Sequence, residues 1–185
     1  MAWKNDQVSE KETAKILELA RKCLNVEGDF VEMGCYKGDT SLLLAEILKD
    51  SEKRLWIYDS FEGLPEKSEF DESVLGENFK TGELGVTKRE VKQRFLKANL
   101  PVPVIKKAWF ADLTFDDLPE RIAFAFLDGD FYESIRDSLK LVVPRMVNGG
   151  VLVVHDYNNP ALPGVKKAVD EFCLKERNDF STLAL

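Results

Sequence analysis

The sequence predicts an α/β protein with a Rossmann-like, doubly wound and mostly parallel sheet that carries helices on both faces. Short apolar segments of strand length alternate along the chain with longer segments of helical periodicity. The strand segments are apolar at nearly every position, which is typical of parallel strands covered on both sides. A chain of 185 residues suits one domain. We therefore expect residues 1–185 to form a single unit.

The helical and strand patterns follow one another in a regular order. The predicted elements are a helix at Ser9–Leu24, a strand at Asp29–Met33, a helix at Thr40–Leu48, a strand at Arg54–Asp59, a helix at Thr87–Ala98, strands at Val102–Trp109 and Ile122–Leu127, a helix at Ser134–Val143, a strand at Val151–Val154 and a helix at Val165–Phe172. Residues 180–185 are expected to begin a sixth strand. The long connection between Ser60 and Val86 is typical of a functional loop, and we expect it to act as a lid.

Several helix ends carry capping signals. Ser9 with Glu12, and Thr87 with Glu90, have the spacing of a capping box. At the second helix, Asp39 or Thr40 is expected to cap the amino end.

Composition and charge exclude several classes of function. The formal net charge of -7 opposes binding to a nucleic-acid backbone as a main task. No apolar run approaches the roughly 20 residues that span a bilayer, and the polar residues 1–10 lack the apolar core of a secretory signal. The three cysteines form no CxxC pair. We expect a cytoplasmic protein that binds neither nucleic acid nor membrane.

Acidic residues follow four of the five main strand segments. In open α/β sheets, ligands bind beyond the carboxyl ends of the strands, where the strand order reverses. Carboxylates do not stabilise a core at such positions, so a ligand explains their clustering better. The strand ends carry Glu32 with Gly34, then Asp59, then Asp128 with Asp130, and finally His155 with Asp156.

The first two strand ends predict a nucleoside site. Gly34 and Gly38 allow the turn into the following helix to lie close to a bound molecule, and Asp59 can accept hydrogen bonds from ribose hydroxyls. The spacing is Glu-x-Gly-x-x-x-Gly rather than the Gly-x-Gly-x-x-Gly of dinucleotide enzymes. The carboxylate of Glu32 suits the cationic methionine portion of S-adenosylmethionine better than a pyrophosphate. The pattern therefore favours S-adenosylmethionine over NAD.

The remaining strand ends predict a metal site. Asp128, Asp130, His155 and Asp156 can converge and offer ligands for Mg²⁺. Such a metal would polarise a substrate hydroxyl, and a carboxylate outside the metal shell could take the proton. Simpler roles are also open at this point: a helix cap for Asp130, a turn for Asp156, and a hydrogen-bonded structural residue for His155.

Longer motifs in the chain resemble the metal-dependent sugar O-methyltransferases of the macrocin O-methyltransferase type, which have the class I methyltransferase fold. The resemblance covers residues 27–172. The motifs that carry it are Val-Glu-Met-Gly-Cys-Tyr-Lys-Gly at 31–38, Tyr-Asp-Ser-Phe-Glu-Gly-Leu-Pro at 58–65, Trp-Phe at 109–110, Leu-Asp-Gly-Asp-Phe-Tyr-Glu-Ser at 127–134, Asp-Tyr at 156–157 and Pro-Gly at 163–164.

The resemblance implies a role for each matched position. Donor contacts fall on Glu32, Gly34, Cys35, Tyr36, Gly38, Asp59, Ser60, Trp109, Phe110 and Asp128, with Trp109 and Phe110 near the adenine. Asp128 and Asp156, joined by His155, would hold Mg²⁺ or another divalent cation, and Asp130 would be the catalytic base. His155 stands where the family usually has the first of two aspartates. Phe131 occupies the position at which more distant catechol-type relatives carry a lysine base.

The resemblance also implies a partner, a small hydroxylated acceptor, with a sugar expected and a phenol open. Much of the family's additional N-terminal material is absent from the chain, so we expect a different acceptor or a partner subunit that completes the pocket. An incomplete sheet edge would favour a homo-oligomer. Two other functions stay open at this point: another nucleotide-using Rossmann enzyme, such as an oxidoreductase, and a non-catalytic protein that binds the donor.

Overall fold

A parallel sheet forms the centre of the protein in a computed structural model that describes residues 7–76, 79–173 and 181–184. Its strands are β1 (Asp29–Met33), β2 (Leu55–Asp59), β3 (Val104–Lys107), β4 (Ile122–Leu127), β5 (Met146–Val154) and β6 (Ser181–Ala184). They lie in the order β3-β2-β1-β4-β5-β6, and each neighbouring pair is parallel. This topology confirms the predicted doubly wound sheet, and the order reverses between β1 and β4.

Helices cover both faces of the sheet, as predicted. They are α1 (Glu10–Lys22), α2 (Asp39–Leu48), α3 (Lys88–Ala98), α4 (Tyr132–Val142) and α5 (Pro163–Cys173). One buried cluster joins α1, α2 and α3 to the sheet, and a second cluster joins α4 and α5 to it. No helix in the described ranges is both long and apolar enough to cross a bilayer.

Side chains of the central strands alternate between these two clusters. Phe30 and Phe124 lie on the α1–α3 side, with ring centroids 5.1 Å apart. Val31 and Ala125 face α4 and α5. All six residues of β4 are buried, which explains why this strand has no polar alternation in the sequence.

Two capping boxes are confirmed, and the predicted cap of α2 is wrong. The hydroxyls of Ser9 and Thr87 each accept a hydrogen bond from the backbone N–H of the glutamate three residues later, and their own backbone N–H groups donate to the carboxylate of that glutamate. The N-cap of α2 is Gly38, at φ 81° and without a side-chain cap. Asp39 pairs instead with Arg94 of α3, and the left-handed conformation at Gly38 turns the chain into the helix.

Two strands differ from their predicted bounds by more than one residue at an end. β5 begins at Met146 rather than Val151, and its register against β4 shifts there because Ile122 pairs with Met146 but Phe124 pairs with Val151. Residues 148–150, which precede the predicted strand, therefore belong to a bulge within the observed one. β3 begins only at Val104, directly after a proline that cannot donate to the ladder. The sixth strand expected within residues 180–185 is confirmed as β6.

The connection between β2 and α3 is ordered by short 3₁₀ turns at Glu69–Asp71 and Val74–Gly76. Asp71 is fully buried within it. Its carboxylate accepts a hydrogen bond from the backbone N–H of Tyr132. The connection is thereby attached to the amino end of α4, close to the carboxyl ends of the strands.

Candidate active site

A pocket lies at the carboxyl ends of the strands, around the point where the strand order reverses. Among the predicted site residues only Gly38 is not part of its lining. The pocket is lined by Glu32, Gly34, Cys35, Tyr36, Asp59, Ser60, Trp109, Phe110, Asp128, Asp130, His155 and Asp156, together with residues that the sequence did not indicate. The rule that ligands bind at the carboxyl ends of the strands thus predicted which residues, far apart in the chain, line one pocket.

Gly34 allows β1 and β4 to end side by side at the floor of the pocket. A Cβ atom at Gly34 would lie 1.9 Å from the backbone oxygen of Asp128, and the φ angle there is 89°. The Asp128 N–H donates to the Met33 carbonyl at 2.8 Å, which extends the sheet pairing to this point. Any side chain at position 34 would force the two strand ends apart.

The carboxylate of Asp59 organises the glycine turn. One oxygen, Oδ2, accepts from the backbone N–H groups of Cys35 at 2.9 Å and Tyr36 at 3.2 Å. The other, Oδ1, accepts from the N–H of Phe61 at 2.7 Å. A carboxylate has about four acceptor positions, so these contacts leave room for one ribose hydroxyl rather than two.

Glu32 is a buried acid beneath the pocket. Its side chain is 1% exposed and accepts a hydrogen bond from the Ser41 hydroxyl on α2. Burial raises the pKa of Glu32 to about 8, and the nearby carboxylates of Asp128 and Asp59 add to the increase. Without a cationic ligand, the folded protein therefore holds Glu32 mostly protonated at neutral pH.

Non-glycine residues in left-handed backbone conformations cluster around the pocket. Tyr36, Leu84, Asp130 and Asp156, which all line the pocket, have φ angles of 45°, 61°, 60° and 60°. This conformation costs free energy for a residue with a side chain and is enriched at functional sites. The strained backbone directs Tyr36, Asp130 and Asp156 toward the same cavity.

Three potential metal ligands converge at the ends of β4 and β5. The Nδ1 atom of His155 lies 3.0 Å from Asp128 Oδ1 and 2.8 Å from Asp156 Oδ2. Ligand atoms of all three residues lie within 4.8 Å of one another. Asp156 also closes a turn, since its Oδ1 accepts from Asn159 Nδ2 at 2.8 Å. The structural and the ligand roles of Asp156 are therefore compatible, because they use different oxygens.

The charged groups of this cluster shift one another's pKa values. Burial of the ring lowers the pKa of His155, but Asp128 and Asp156 outweigh it and raise that pKa to about 11. Burial raises the pKa of Asp156, but the imidazole beside it prevails and the pKa falls below its ordinary value. For Asp130, burial and the two neighbouring carboxylates raise the pKa, and His155 opposes them. Asp130 does not cap α4, whose N-cap is Phe131.

Several lining residues were not indicated by the strand ends. Gln7 and Val8 precede α1, Leu64 and Phe79 come from the β2–α3 connection, and Asn159 follows β5. The strand-end rule could not find them, because none of them ends a strand. The aromatic contribution of Phe79 could have been suspected from the unusual length of its connection.

The pocket is strongly acidic. Six carboxylate side chains line it, against the basic side chains of Lys37 and His155; the acids are Glu32, Asp39, Asp59, Asp128, Asp130 and Asp156. One of them, Asp39, is paired with Arg94. An excess of carboxylates in a concave site favours cationic ligands and disfavours phosphates.

The fold and the pocket define a Rossmann-like domain of the class I methyltransferase type. Residues 12–181 match the model of the macrocin-O-methyltransferase (TylF) family. The chain belongs to this family, as its motifs predicted. The match favours this interpretation over another nucleotide-using Rossmann enzyme.

Individual relatives agree with this assignment. The chain is 32% identical over 155 residues to the 8-demethyl-8-(2,3-dimethoxy-alpha-L-rhamnosyl)-tetracenomycin-C 4'-O-methyltransferase of Streptomyces olivaceus, which covers 80% of this chain and 58% of the relative. It is 32% identical over 176 residues to the demethyldecarbamoylnovobiocin O-methyltransferase of Streptomyces niveus, covering 87% and 66% of the two chains. The mycinamicin III 3''-O-methyltransferase of Micromonospora griseorubida is 30% identical, with coverages of 80% and 61%.

Solved structures have the same architecture. The O-methyltransferase NovP superposes with a TM-score of 0.78 at 30% identity, over 89% of this chain and 72% of that one. The calicheamicin methyltransferase CalS11 superposes with a TM-score of 0.72 at 20% identity over the same shares, which supports the fold alone. The chain spans between 58% and 66% of the length of the three sequence relatives.

Proposed function

We propose that the protein transfers a methyl group from S-adenosylmethionine to a hydroxyl oxygen of a small molecule. The observation that carries the proposal is the acidic pocket at the β1–β4 switch point, with Glu32 and Asp59 beneath the glycine turn. A sulfonium donor brings positive charge, whereas a dinucleotide brings a negatively charged pyrophosphate. Carboxylates at this position therefore favour the sulfonium compound.

The hydroxyl acceptor is inferred from the relatives. Each of the three is named as an O-methyltransferase, and one name specifies a rhamnosyl group. We extend this chemistry to the present chain and take a glycosylated small molecule as the first acceptor to test. The β2–α3 connection, through Leu64 and Phe79, borders the same pocket and is suited to act as its lid.

The donor would lie along the ends of β1 and β2. Gly34 leaves space for it, and Asp59 retains one acceptor position for a ribose hydroxyl. Trp109 and Phe110, which follow β3, offer aromatic surface to the same pocket for stacking of the adenine. Glu32 lies below the region that the methionine portion would occupy.

A divalent cation, Mg²⁺ or another, is part of the proposal, because the ligand spacing fits one. Ligands at right angles around an ion at about 2.1 Å are separated by about 3 Å. The measured separations from His155 Nδ1 are 3.0 Å to Asp128 and 2.8 Å to Asp156. When bound at these residues, a divalent cation supplies Lewis-acid polarisation that lowers the pKa of a neighbouring hydroxyl.

The side chains of this protein would then perform the remaining steps. The acceptor oxygen forms a bond to the methyl carbon while the carbon–sulfur bond breaks, and the electron pair of that bond stays on sulfur. Asp130, which borders the pocket beside the cluster, takes the hydroxyl proton. Glu32 balances the positive charge of the donor until the transfer neutralises it.

Calorimetric titration with S-adenosylmethionine, with and without a divalent cation, tests the donor assignment. We expect saturable binding of one donor per chain. Mass spectrometry after incubation with hydroxylated acceptors should then detect a product that is one methyl group heavier. Absence of donor binding in both conditions would overturn the proposal. Donor binding without transfer to any acceptor tried would instead support a non-catalytic donor-binding protein.

A further inference from the structure

The cluster at the ends of β4 and β5 contains an imidazole, and this makes its preference among cations specific to this chain. We propose that Asp128, His155 and Asp156 bind a transition-metal dication of borderline softness, such as Fe²⁺, Co²⁺ or Zn²⁺, in preference to Mg²⁺. The inference deepens the proposed function at the same site. It rests on that function only for what the bound cation does in the reaction, and the test of cation binding needs neither donor nor acceptor.

The first support is the orientation of the His155 ring. The side chain is 6% exposed, and its Nδ1 atom faces oxygens of both carboxylates. The edge of the ring packs against Phe126, with centroids 6.1 Å apart. The nitrogen that faces the cluster is therefore fixed by packing on the sheet.

The second support is that two of the three ligands, His155 and Asp156, have a partner on the side away from the cluster. The Nε2 atom of His155 faces the carboxylate of Glu12 on α1, 3.9 Å away. The Oδ1 atom of Asp156 is held by Asn159, which leaves Oδ2 to face His155. Metal-binding histidines and carboxylates commonly have such outer partners, which orient the ligand atom toward the ion.

Glu12 is suited to support the form of His155 that binds a cation. When a cation takes the place of the proton between Nδ1 and the two aspartates, the proton that remains on Nε2 faces the carboxylate of Glu12. Glu12 itself is positioned by the capping box, in which its Oε2 accepts from the Ser9 hydroxyl at 2.5 Å and the Ser9 N–H at 3.1 Å. We assign Glu12 as a positioning residue that acts through His155.

The chemistry of this ligand set decides the preference. Mg²⁺ favours oxygen ligands and retains most of its water, whereas imidazole nitrogen is a common ligand of iron, cobalt and zinc. For a given mixed nitrogen and oxygen site, affinity also rises along the first-row series toward these metals. Replacing an oxygen ligand by His155 therefore favours the transition metal.

Equilibrium dialysis of metal-stripped protein against Mg²⁺, Co²⁺ or Zn²⁺, with metal content measured by mass spectrometry, tests the proposal. We expect one Co²⁺ or Zn²⁺ per chain, bound at least about 100-fold more tightly than Mg²⁺. Bound Co²⁺ should also give visible absorption bands of a site with a nitrogen ligand. Asp128→Asn should abolish this stoichiometric binding, which separates the site from surface binding.

Two further variants test the role of the imidazole. His155→Asp should remove most of the preference, by weakening Co²⁺ and strengthening Mg²⁺. Glu12→Gln, which can still form the capping box, should weaken Co²⁺ by about 10-fold or more. The matched control is Glu10→Gln, which removes an exposed carboxylate from the same helical turn and should leave the affinity unchanged. Melting temperatures of all variants would identify any that fail to fold.

Equal affinity for Mg²⁺ and Co²⁺ in the unmodified protein would overturn the proposal. So would the absence of stoichiometric metal binding, which would mean that a protonated His155 bridges the two carboxylates by itself. Binding of S-adenosylhomocysteine is measured separately on the same samples. Donor-product binding without the metal preference contradicts only this inference, and the metal preference without donor-product binding contradicts only the proposed function.

Discussion

The carboxylate of Asp71 accepts a hydrogen bond from the backbone N–H of Tyr132 at 2.7 Å, so that the β2–α3 connection caps α4 from outside the helix. The other oxygen of Asp71 accepts from the N–H and hydroxyl of Ser68, at 2.9 and 2.6 Å. The N-cap residue of α4, Phe131, has no side chain that can cap. A negative charge at this helix end is favourable because of the helix dipole.

We expect Asp71→Ala to destabilise the protein by about 1–3 kcal/mol, because a buried capping carboxylate is lost and the N–H of Tyr132 is left without it. Urea denaturation gives the free energy of unfolding. Glu72→Ala removes the neighbouring exposed carboxylate and serves as the control. Equal effects of the two variants would contradict the capping role.

Gly164→Ala should destabilise the protein although alanine is the better helix former by about 1 kcal/mol. The new Cβ atom would lie 1.9 Å from Asp71 Oδ1 and 2.9 Å from Tyr132 Cβ. In the Asp71→Ala background the same substitution should cost less, since the main obstacle is gone. Strict additivity of the two free-energy changes in a double-mutant cycle would show that the contact does not matter.

Asp59→Ala should weaken donor binding by about 1–3 kcal/mol, because the turn at Cys35 and Tyr36 loses the acceptor that holds it and the ribose loses its partner. Calorimetry with S-adenosylhomocysteine measures the effect, and metal affinity should stay unchanged. Glu62→Gln, at an exposed carboxylate of the same loop, should behave like the unmodified protein. Unchanged affinity in Asp59→Ala would remove the ribose assignment.

Asp128→Asn should abolish metal binding and methyl transfer while changing the affinity for S-adenosylhomocysteine by no more than about 3-fold. The reason is that most donor contacts are assigned to the ends of β1 and β2, so the contact at Asp128 contributes little to donor affinity, whereas the cation is assigned to the ends of β4 and β5. Calorimetry and metal analysis on the same sample distinguish the two sites. A parallel loss of donor and metal binding would mean that they are one site.

Glu32→Gln should stabilise the ligand-free protein increasingly as the pH rises. Burial raises the pKa of Glu32 in the folded state from its ordinary value of 4.5 to about 8. The stability that the protonated acid contributes is therefore fully present below pH 4.5 and is lost as the pH rises to about 8. Glutamine cannot ionise and lacks this loss.

The measurement is the difference in melting temperature between Glu32→Gln and the unmodified protein, followed across this pH range. The difference should grow up to about pH 8 and stay constant above it. Glu46→Gln, at an exposed site on α2, should show no such trend. A difference that is independent of pH would mean that Glu32 is ionised throughout.

The sheet and the pocket floor could be predicted because they depend on local patterns. Apolar segments such as β4 identify buried parallel strands, and polar residues directly after them, such as Asp128 and His155, must meet at one edge of the sheet. The alternative role of Asp130 as a helix cap could not be rejected from sequence. Its exclusion depends on Asp71, which reaches α4 from a distant part of the chain.

Contacts between elements that are far apart in sequence were not predictable. The capping box of Glu12 was evident from its spacing to Ser9, but the spacing does not indicate that the same carboxylate faces His155. The hydrogen bonds of Asp59 could not be predicted either, because the backbone N–H groups that donate them have no sequence signature. Such contacts depend on the packing of whole elements, which a pattern within one element does not specify.

The position of Glu12 on α1 has a consequence for shortened forms of the protein. A chain that started just before β1 would keep every strand and the residues at the strand ends, including His155. It would lose Val8, which lines the pocket, and Glu12, which faces the imidazole. The segment that contains every strand is therefore shorter than the segment that contains the complete binding site.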